Sequence, residues 1–468
     1  MKKLFIFFLL PLVSSGQRGY PAMLDSFMQA EVFVNNFNGN VLIAKAGNII
    51  YQKSFGYSNY NTRELLDNNS IFELASISKQ FTAMGILMLE EKGKLKLSDS
   101  LRKFFPELPY SNVTIQNMLT HTSGLPDYMD AMANKWDHKK IAFNNDVIDF
   151  LVSEKIPRNF KPGEKWEYSN TAYEMLASIV EKVSGHNYND FMQKNIFTPL
   201  KMEHSRVYNT RRSLKEIIPN YAYGFIYSDS LKRYILPDSL AETDFVIYLD
   251  GIEGDGSINS TTGDLLKWDR AIKNHTLLSE ATQKQMLSPQ SIMDTASKKY
   301  YGYGEMLGEN EIGNYVMHGG GWPGYHTMLF RYIADDITII ILSNNESNST
   351  MLAGTLAYLV TGRAVIAPYK HTMITIDTAL LYKYVGKYLI PNVPNPTKME
   401  LMKKGGKLYC HYEKATTDVE LKPESTTKFF NDKYGIDQQI EFELDSLGKI
   451  AKAYIIFSGM KKEINKIE

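Results

Sequence analysis

Ser76-Ile77-Ser78-Lys79 sets a hydroxyl and an amine three residues apart. One helical turn brings such positions onto one face, so the lysine can take the serine proton and release a nucleophile. The pattern alone is common, recurring at Ser100 to Lys103, Ser446 to Lys449 and Ser458 to Lys461. Ser76 differs in context: it stands just before an apolar repeat at helical spacing, Phe81, Met84, Leu87 and Met88, which Gly93 ends. Backbone N–H groups and the dipole at such a helix start can stabilise a developing oxyanion. A serine that merely caps the helix would occupy the same place.

Tyr168-Ser169-Asn170 is a second candidate, a phenol able to move a proton beside an amide able to hold substrate or the lysine. Tyr57-Ser58-Asn59 and Tyr110-Ser111-Asn112 share the pattern, but only the Tyr168 copy lies between a Gly-Pro loop and a capped helix. A buried tyrosine with a capping asparagine is the bland alternative. The third candidate is His318-Gly319-Gly320-Gly321, expected directly ahead of a strand. Glycines there let backbone approach a ligand closely and expose an N–H as a second oxyanion donor. Gly319 to Gly324 also fits Gly-x-Gly-x-x-Gly, but no strand-to-helix context follows, which excludes a dinucleotide site.

The elements that must position these residues are readable in outline. Val41 to Ala44 and Ile49 to Tyr51 flank the turn Gly47-Asn48, a hairpin pattern. Residues 101–201 read as helical and loop-rich, with one strong helix from Thr171 to Val183 and Gly185 after it. Tyr325 to Tyr332 and Ile337 to Leu342 form a second hairpin, and Met351 to Val360 a closing helix. The expected fold class is α/β (α+β): an antiparallel sheet flanked by helices with a helical insertion, plus a small C-terminal all-beta domain. The expected boundaries are a leader at 1–16, the main domain at 17–362, a linker at 363–373 and the beta domain at 374–468.

Composition narrows the function classes. The 468 residues are 44% hydrophobic and 22% charged with formal net charge +0, typical of a globular protein and without the basic excess that nucleic acid or an anionic surface attracts. Lys2 and Lys3 ahead of the apolar run Leu4 to Val13, then Ser14, Ser15 and Gly16, read as a secretory signal cleaved before Gln17. The expectation is an exported protein, periplasmic or secreted, with no stable membrane span after cleavage and no lipid attachment there. The one cysteine, Cys410, falls on an alternating stretch and reads as a packed thiol. The nine histidines show no metal-ligand spacing, and no metal or organic cofactor is implied. His121, in Thr-His-Thr-Ser-Gly, reads as structural.

Taken in order, Ser-x-x-Lys, Tyr-x-Asn and His-x-Gly resemble the beta-lactamase and penicillin-binding-protein superfamily, near the class C beta-lactamases and their esterase and D-aminopeptidase relatives. Supporting stretches are Phe72 to Lys79, Met118 to Pro126, Gly254 to Leu265 and His318 to Gly324. The resemblance implies that Ser76 forms an acyl-enzyme that water releases, with Lys79 and Tyr168 sharing the proton work. It leaves open which of the two is the base, though a lysine cation favours a nearby phenolate. It further implies that Asn170 holds the acyl amide or Lys79, that Ser76 and Gly321 (or Gly320) N–H groups form the oxyanion hole, and that His318 meets substrate. Dedicated class C enzymes carry Lys-Thr-Gly where this chain has His318-Gly319-Gly320. The reading is therefore a hydrolase of D-peptide-like esters or amides, a small-molecule or peptide substrate its partner. The alternatives are a beta-lactamase proper and a sensing protein that acylates without turnover.

Overall fold

A computed structural model describes residues 20–213, 218–391, 395–413, 415–431 and 437–467. The expected leader lies outside the described residues. Helix α1 (Tyr20–Asn35) precedes the hairpin β1 (Gly39–Lys45) and β2 (Asn48–Phe55). Helices α2 (Ser78–Glu91), α3 (Asn170–Ser184) and α4 (Thr262–Lys273) follow, separated by shorter helices and loops. Strands β3 (Ser291–Asp294), β4 (Lys299–Tyr301), β5 (Met306–Glu309), β6 (Asn314–Trp322), β7 (Tyr325–Tyr332) and β8 (Ile337–Ser343) lead into α5 (Ser349–Val360). The sheet order is β3-β4-β5-β6-β7-β8-β1-β2, and every pairing is antiparallel.

The chain thus leaves the sheet at Phe55 and re-enters it at Ser291, and the sheet closes up when β8 pairs with β1 from Gly39↔Ser343 to Lys45↔Ile337. These two strands are apolar at consecutive positions because both faces are covered. Leu42, Ala44, Ile340 and Leu342 face a core containing α2, α3 and α4, whereas Val41, Ile43, Ile339 and Ile341 face α1 and α5. Towards one edge of the sheet, β3 to β5 carry mostly half-exposed, mixed residues, so they lack the apolar run that betrays the central strands. The His-Gly-Gly-Gly motif directly precedes β7, as expected, and itself lies inside a further strand, β6.

Beyond α5 the chain forms a closed eight-stranded barrel running from Gly386–Ile390 to Met460–Lys466, its ends joined by Tyr388↔Lys466 and Leu389↔Asn465. Alternate residues fill it, Met399 and Leu401, Leu408 and Cys410, Ile440 and Phe442 among them. Cys410 is a fully buried packing residue whose thiol burial pushes up to about 12. The barrel touches α5 through Thr355 Oγ1, which donates to the Ser458 carbonyl at 3.0 Å.

Candidate active site

From Ser70 to Leu89 every residue is buried except Ser76. It stands on a tight turn, Ala75–Ile77, between the short strand Phe72–Glu73 and α2. Ala75 has φ +48, a left-handed conformation that costs a residue with a Cβ roughly 1–2 kcal/mol. Neighbours hold the turn: the Leu74 N–H donates to the Ile258 carbonyl at 2.9 Å, and the Leu74 carbonyl accepts from Thr327 Oγ1 at 2.8 Å. Gly320 of β6 lies against this turn, where a Cβ would sit 2.0 Å from the Leu74 oxygen and 2.4 Å from Thr327 Oγ1. Only glycine admits that approach.

Lys79 follows on the first turn of α2 and is fully buried. Its Nζ donates to Ser76 Oγ at 3.1 Å, Asn170 Oδ1 at 3.0 Å and the Asp255 carbonyl at 2.8 Å. Asn170 opens α3, which Ser169 caps by accepting the Ala172 N–H at 3.1 Å. The Asn170 amide is oriented by Asp127, whose Oδ2 accepts from Nδ2 at 3.3 Å. The Asp255 carbonyl reaches Lys79 because its segment closes on α3 at Gly254 (φ +102), where a Cβ would lie 2.4 Å from Ala177 Cβ. The Asp255 carboxylate accepts from the Tyr128 hydroxyl at 2.9 Å; burial raises its pKa, against the pull of Lys79.

The Tyr168 ring packs against both neighbours, with Lys79 Nζ 4.8 Å from its centroid and the His121 ring 4.4 Å away. Its hydroxyl is buried and has no hydrogen-bond partner among the described residues. His121 is itself buried at φ +56, and its Nδ1 accepts the Ser169 N–H at 3.1 Å. Burial holds its pKa well below the usual value, so the ring is neutral with its proton on Nε2. It packs beside the catalytic candidates, in keeping with a structural role.

His318 requires a correction. Expected to meet substrate, it has no exposed surface and lies behind the cleft. Its Nδ1 lies 2.7 Å from the Gly319 carbonyl and must carry the proton, so Nε2 accepts from the Tyr301 hydroxyl at 3.0 Å. Burial, then the Lys79 charge, pulls its pKa to about 3. It offers substrate neither a cation nor a free ring nitrogen.

Gly321 does reach the cleft. Pairing of β5 with β6 ends at Met306↔Met317, and beyond it β7 alone among the described strands pairs with β6. Gly321 and Trp322 then border a cleft of about 230 Å³ with Ser76, Tyr168 and Asn170. Its other walls come from Glu73, Arg211, Asp250 and the segment to Ser257. The structure therefore gathers Ser76, Lys79, Tyr168, Asn170, Gly320 and Gly321 and sets His318 behind them. The sequence reading missed Asp127, Tyr301, Arg211 and the Asp255 carbonyl. Asp255 lies in the quoted Gly254 to Leu265 stretch, whereas no local pattern marks Arg211.

The beta-lactamase family profile matches residues 32–361. The chain is 41% identical to "Penicillin-binding protein 4*" of Bacillus subtilis, over 92% of this chain and 94% of that one. Among solved structures it is similar to an octameric penicillin-binding protein homologue from Pyrococcus abyssi (TM-score 0.65, 25% identity, 95% of this chain and 99% of that one). It is also similar to a penicillin binding protein from Bacillus halodurans (TM-score 0.62, 25% identity, 72% of this chain and 98% of that one).

Proposed function

The chain belongs to the beta-lactamase family of serine hydrolases, and from that premise we propose that it cleaves D-peptide-like esters or amides through an acyl-enzyme on Ser76. The observation that carries this reading is the contact of Lys79 Nζ with Ser76 Oγ at 3.1 Å. Lys79, touching the nucleophile, takes its proton as Oγ attacks the carbonyl. Tyr168, whose hydroxyl has no partner among the described residues, passes a proton to the leaving group and later draws one from the hydrolytic water. The N–H groups of Ser76 and Gly321 bind the oxyanion, each such donor contributing roughly 2.7–4 kcal/mol to the transition state. Asn170 holds Lys79 in line.

A beta-lactamase proper is the weaker reading, because a site for a beta-lactam carboxylate is best served by a cation and His318 is neutral above about pH 3. The leader expected at 1–16 extends the proposal to export, which fractionation of expressing cells tests. The deciding assay compares nitrocefin with a p-nitrophenyl ester, using the mature protein and Ser76→Ala. Ester cleavage lost in Ser76→Ala, with slow nitrocefin turnover, supports the proposal. Fast Ser76-dependent nitrocefin turnover makes the protein a beta-lactamase, and stable acylation without release makes it a sensor.

A further inference from the structure

The cleft holds hydrogen-bond donors that the described residues leave unanswered. Arg211 borders it with a side chain only 5% exposed. Its Nη2 donates to Glu73 Oε2 at 2.7 Å, and its Nη1 donates to the Tyr208 carbonyl at 2.9 Å and lies 3.0 Å from Asp250 Oδ1. Its Nε is buried and has no partner among the described residues. Trp322 Nε1, on the same cleft, is likewise buried and unpartnered. Neither group can accept a hydrogen bond. Ser257 Oγ and the Tyr168 hydroxyl, also unpartnered on this lining, can donate or accept, and Asp250 Oδ1, the one buried acceptor-only side-chain atom there without a hydrogen bond among the described residues, faces the Arg211 guanidinium at 3.0 Å. With the Asp250 oxygen already facing a cation, the two donor-only groups favour a substrate group that brings an acceptor, because a buried donor left unmade is costly.

Charge decides which acceptor fits. Arg211 and the adjacent Arg212 face Glu73, Asp250 and Asp238, with Arg212 Nε donating to Asp238 at 2.9 Å and Arg212 N–H to Asp250 Oδ2 at 2.7 Å. Two cations already meet three carboxylates, and a carboxylate on the substrate would be a fourth. A neutral carbonyl oxygen supplies the acceptor without that repulsion.

We propose that the wall formed by Arg211, Trp322 and Ser257 is a subsite for a carbonyl oxygen on a neutral acyl arm, as in an N-acylamino acid or a peptide. This rests on the reading of Ser76 as nucleophile. Glu73, three residues before Ser76 on the strand that leads into its turn and on the same cleft wall, sets the subsite beside the nucleophile.

Four p-nitrophenyl esters of equal chain length test it with the wild-type protein. N-Acetylglycinate and levulinate (4-oxopentanoate) place a neutral carbonyl at the same atom, pentanoate has none, and hemisuccinate puts a carboxylate there. Each kcat/KM is divided by the ester's spontaneous hydroxide rate to remove intrinsic reactivity. The two carbonyl esters should exceed pentanoate by about tenfold or more, the low end for a hydrogen bond from a charged donor, and hemisuccinate should fall below both. A smaller ratio, or hemisuccinate fastest, overturns the subsite. Arg211→Lys and Trp322→Phe, each losing a donor, should bring the levulinate-to-pentanoate ratio toward one, and a ratio unchanged in both would also overturn it. If Ser76→Ala hydrolyses all four at the wild-type rate, it is the nucleophile assignment that fails.

Discussion

Replacing His318 by lysine would restore the residue that dedicated class C beta-lactamases carry, and the structure predicts that it fails. The position has no exposed surface, and it keeps an imidazole neutral down to about pH 3 against an ordinary value near 6.5. At roughly 1.4 kcal/mol per tenfold change in protonation, such a site disfavours a cation by about 5 kcal/mol. A lysine, charged in the unfolded chain up to about pH 10, brings that whole cost into folding at pH 7 unless it deprotonates. It also forfeits the bond from Tyr301. A loss of about 5 kcal/mol is a large share of the 5–15 kcal/mol that holds a typical domain together. His318→Lys should therefore be strongly destabilised by calorimetry or urea titration and gain no nitrocefin turnover. The reasoning is refuted if the variant melts with the wild type and hydrolyses nitrocefin faster, since the ammonium must then have reached the cleft.

Three further outcomes follow from the same geometry. Tyr168→Phe should cost at least about a hundredfold in kcat yet leave Tm unchanged or slightly raised, because the hydroxyl it removes has no partner among the described residues; a matching loss of stability would show that the hydroxyl is structural. Gly320→Ala should abolish turnover and lower stability by about 1–3 kcal/mol, since its Cβ would displace the Leu74 carbonyl that braces the Ser76 turn; wild-type kinetics would remove the packing argument. With His318 neutral above about pH 3, the ratio of kcat/KM for an anionic ester to that for a neutral one should stay flat from pH 5.5 to 8. A rise toward pH 6 in wild type, lost in His318→Gln, would mean that the histidine does charge.

The parts of the fold legible in the sequence were those where one residue's type answers to one neighbour. The runs at Val41 to Ala44 and Ile337 to Leu342 announce strands because both sheet faces demand apolar side chains there. Ser76 stood out from the other three Ser-x-x-Lys copies because a buried helix follows it, whereas Lys103 pairs with Asp99 at the surface and Ser446 and Ser458 lie in barrel turns. What stayed hidden depended on tertiary approach. A histidine beside three glycines looks exposed, yet β6 runs through the core and its side chain turns inward. The contact of Lys79 with Asp255 uses a backbone carbonyl, and any residue type could have supplied it. Arg211 meets Glu73 across 138 positions of chain, a separation no local pattern spans.

The surroundings of Lys79 have a consequence for how the reaction cycle proceeds. Two of its three partners, the Asn170 oxygen and the Asp255 carbonyl, can only accept, while the third, the Ser76 hydroxyl, can accept or donate. As an ammonium, the lysine gives one proton to each. As a neutral amine, it keeps the same two acceptors and turns its lone pair to the serine proton, with no heavy atom displaced. The site is wired so that a proton can cross and return while the scaffold stands still, and the reorganisation that water would need at that step has been completed in advance by folding.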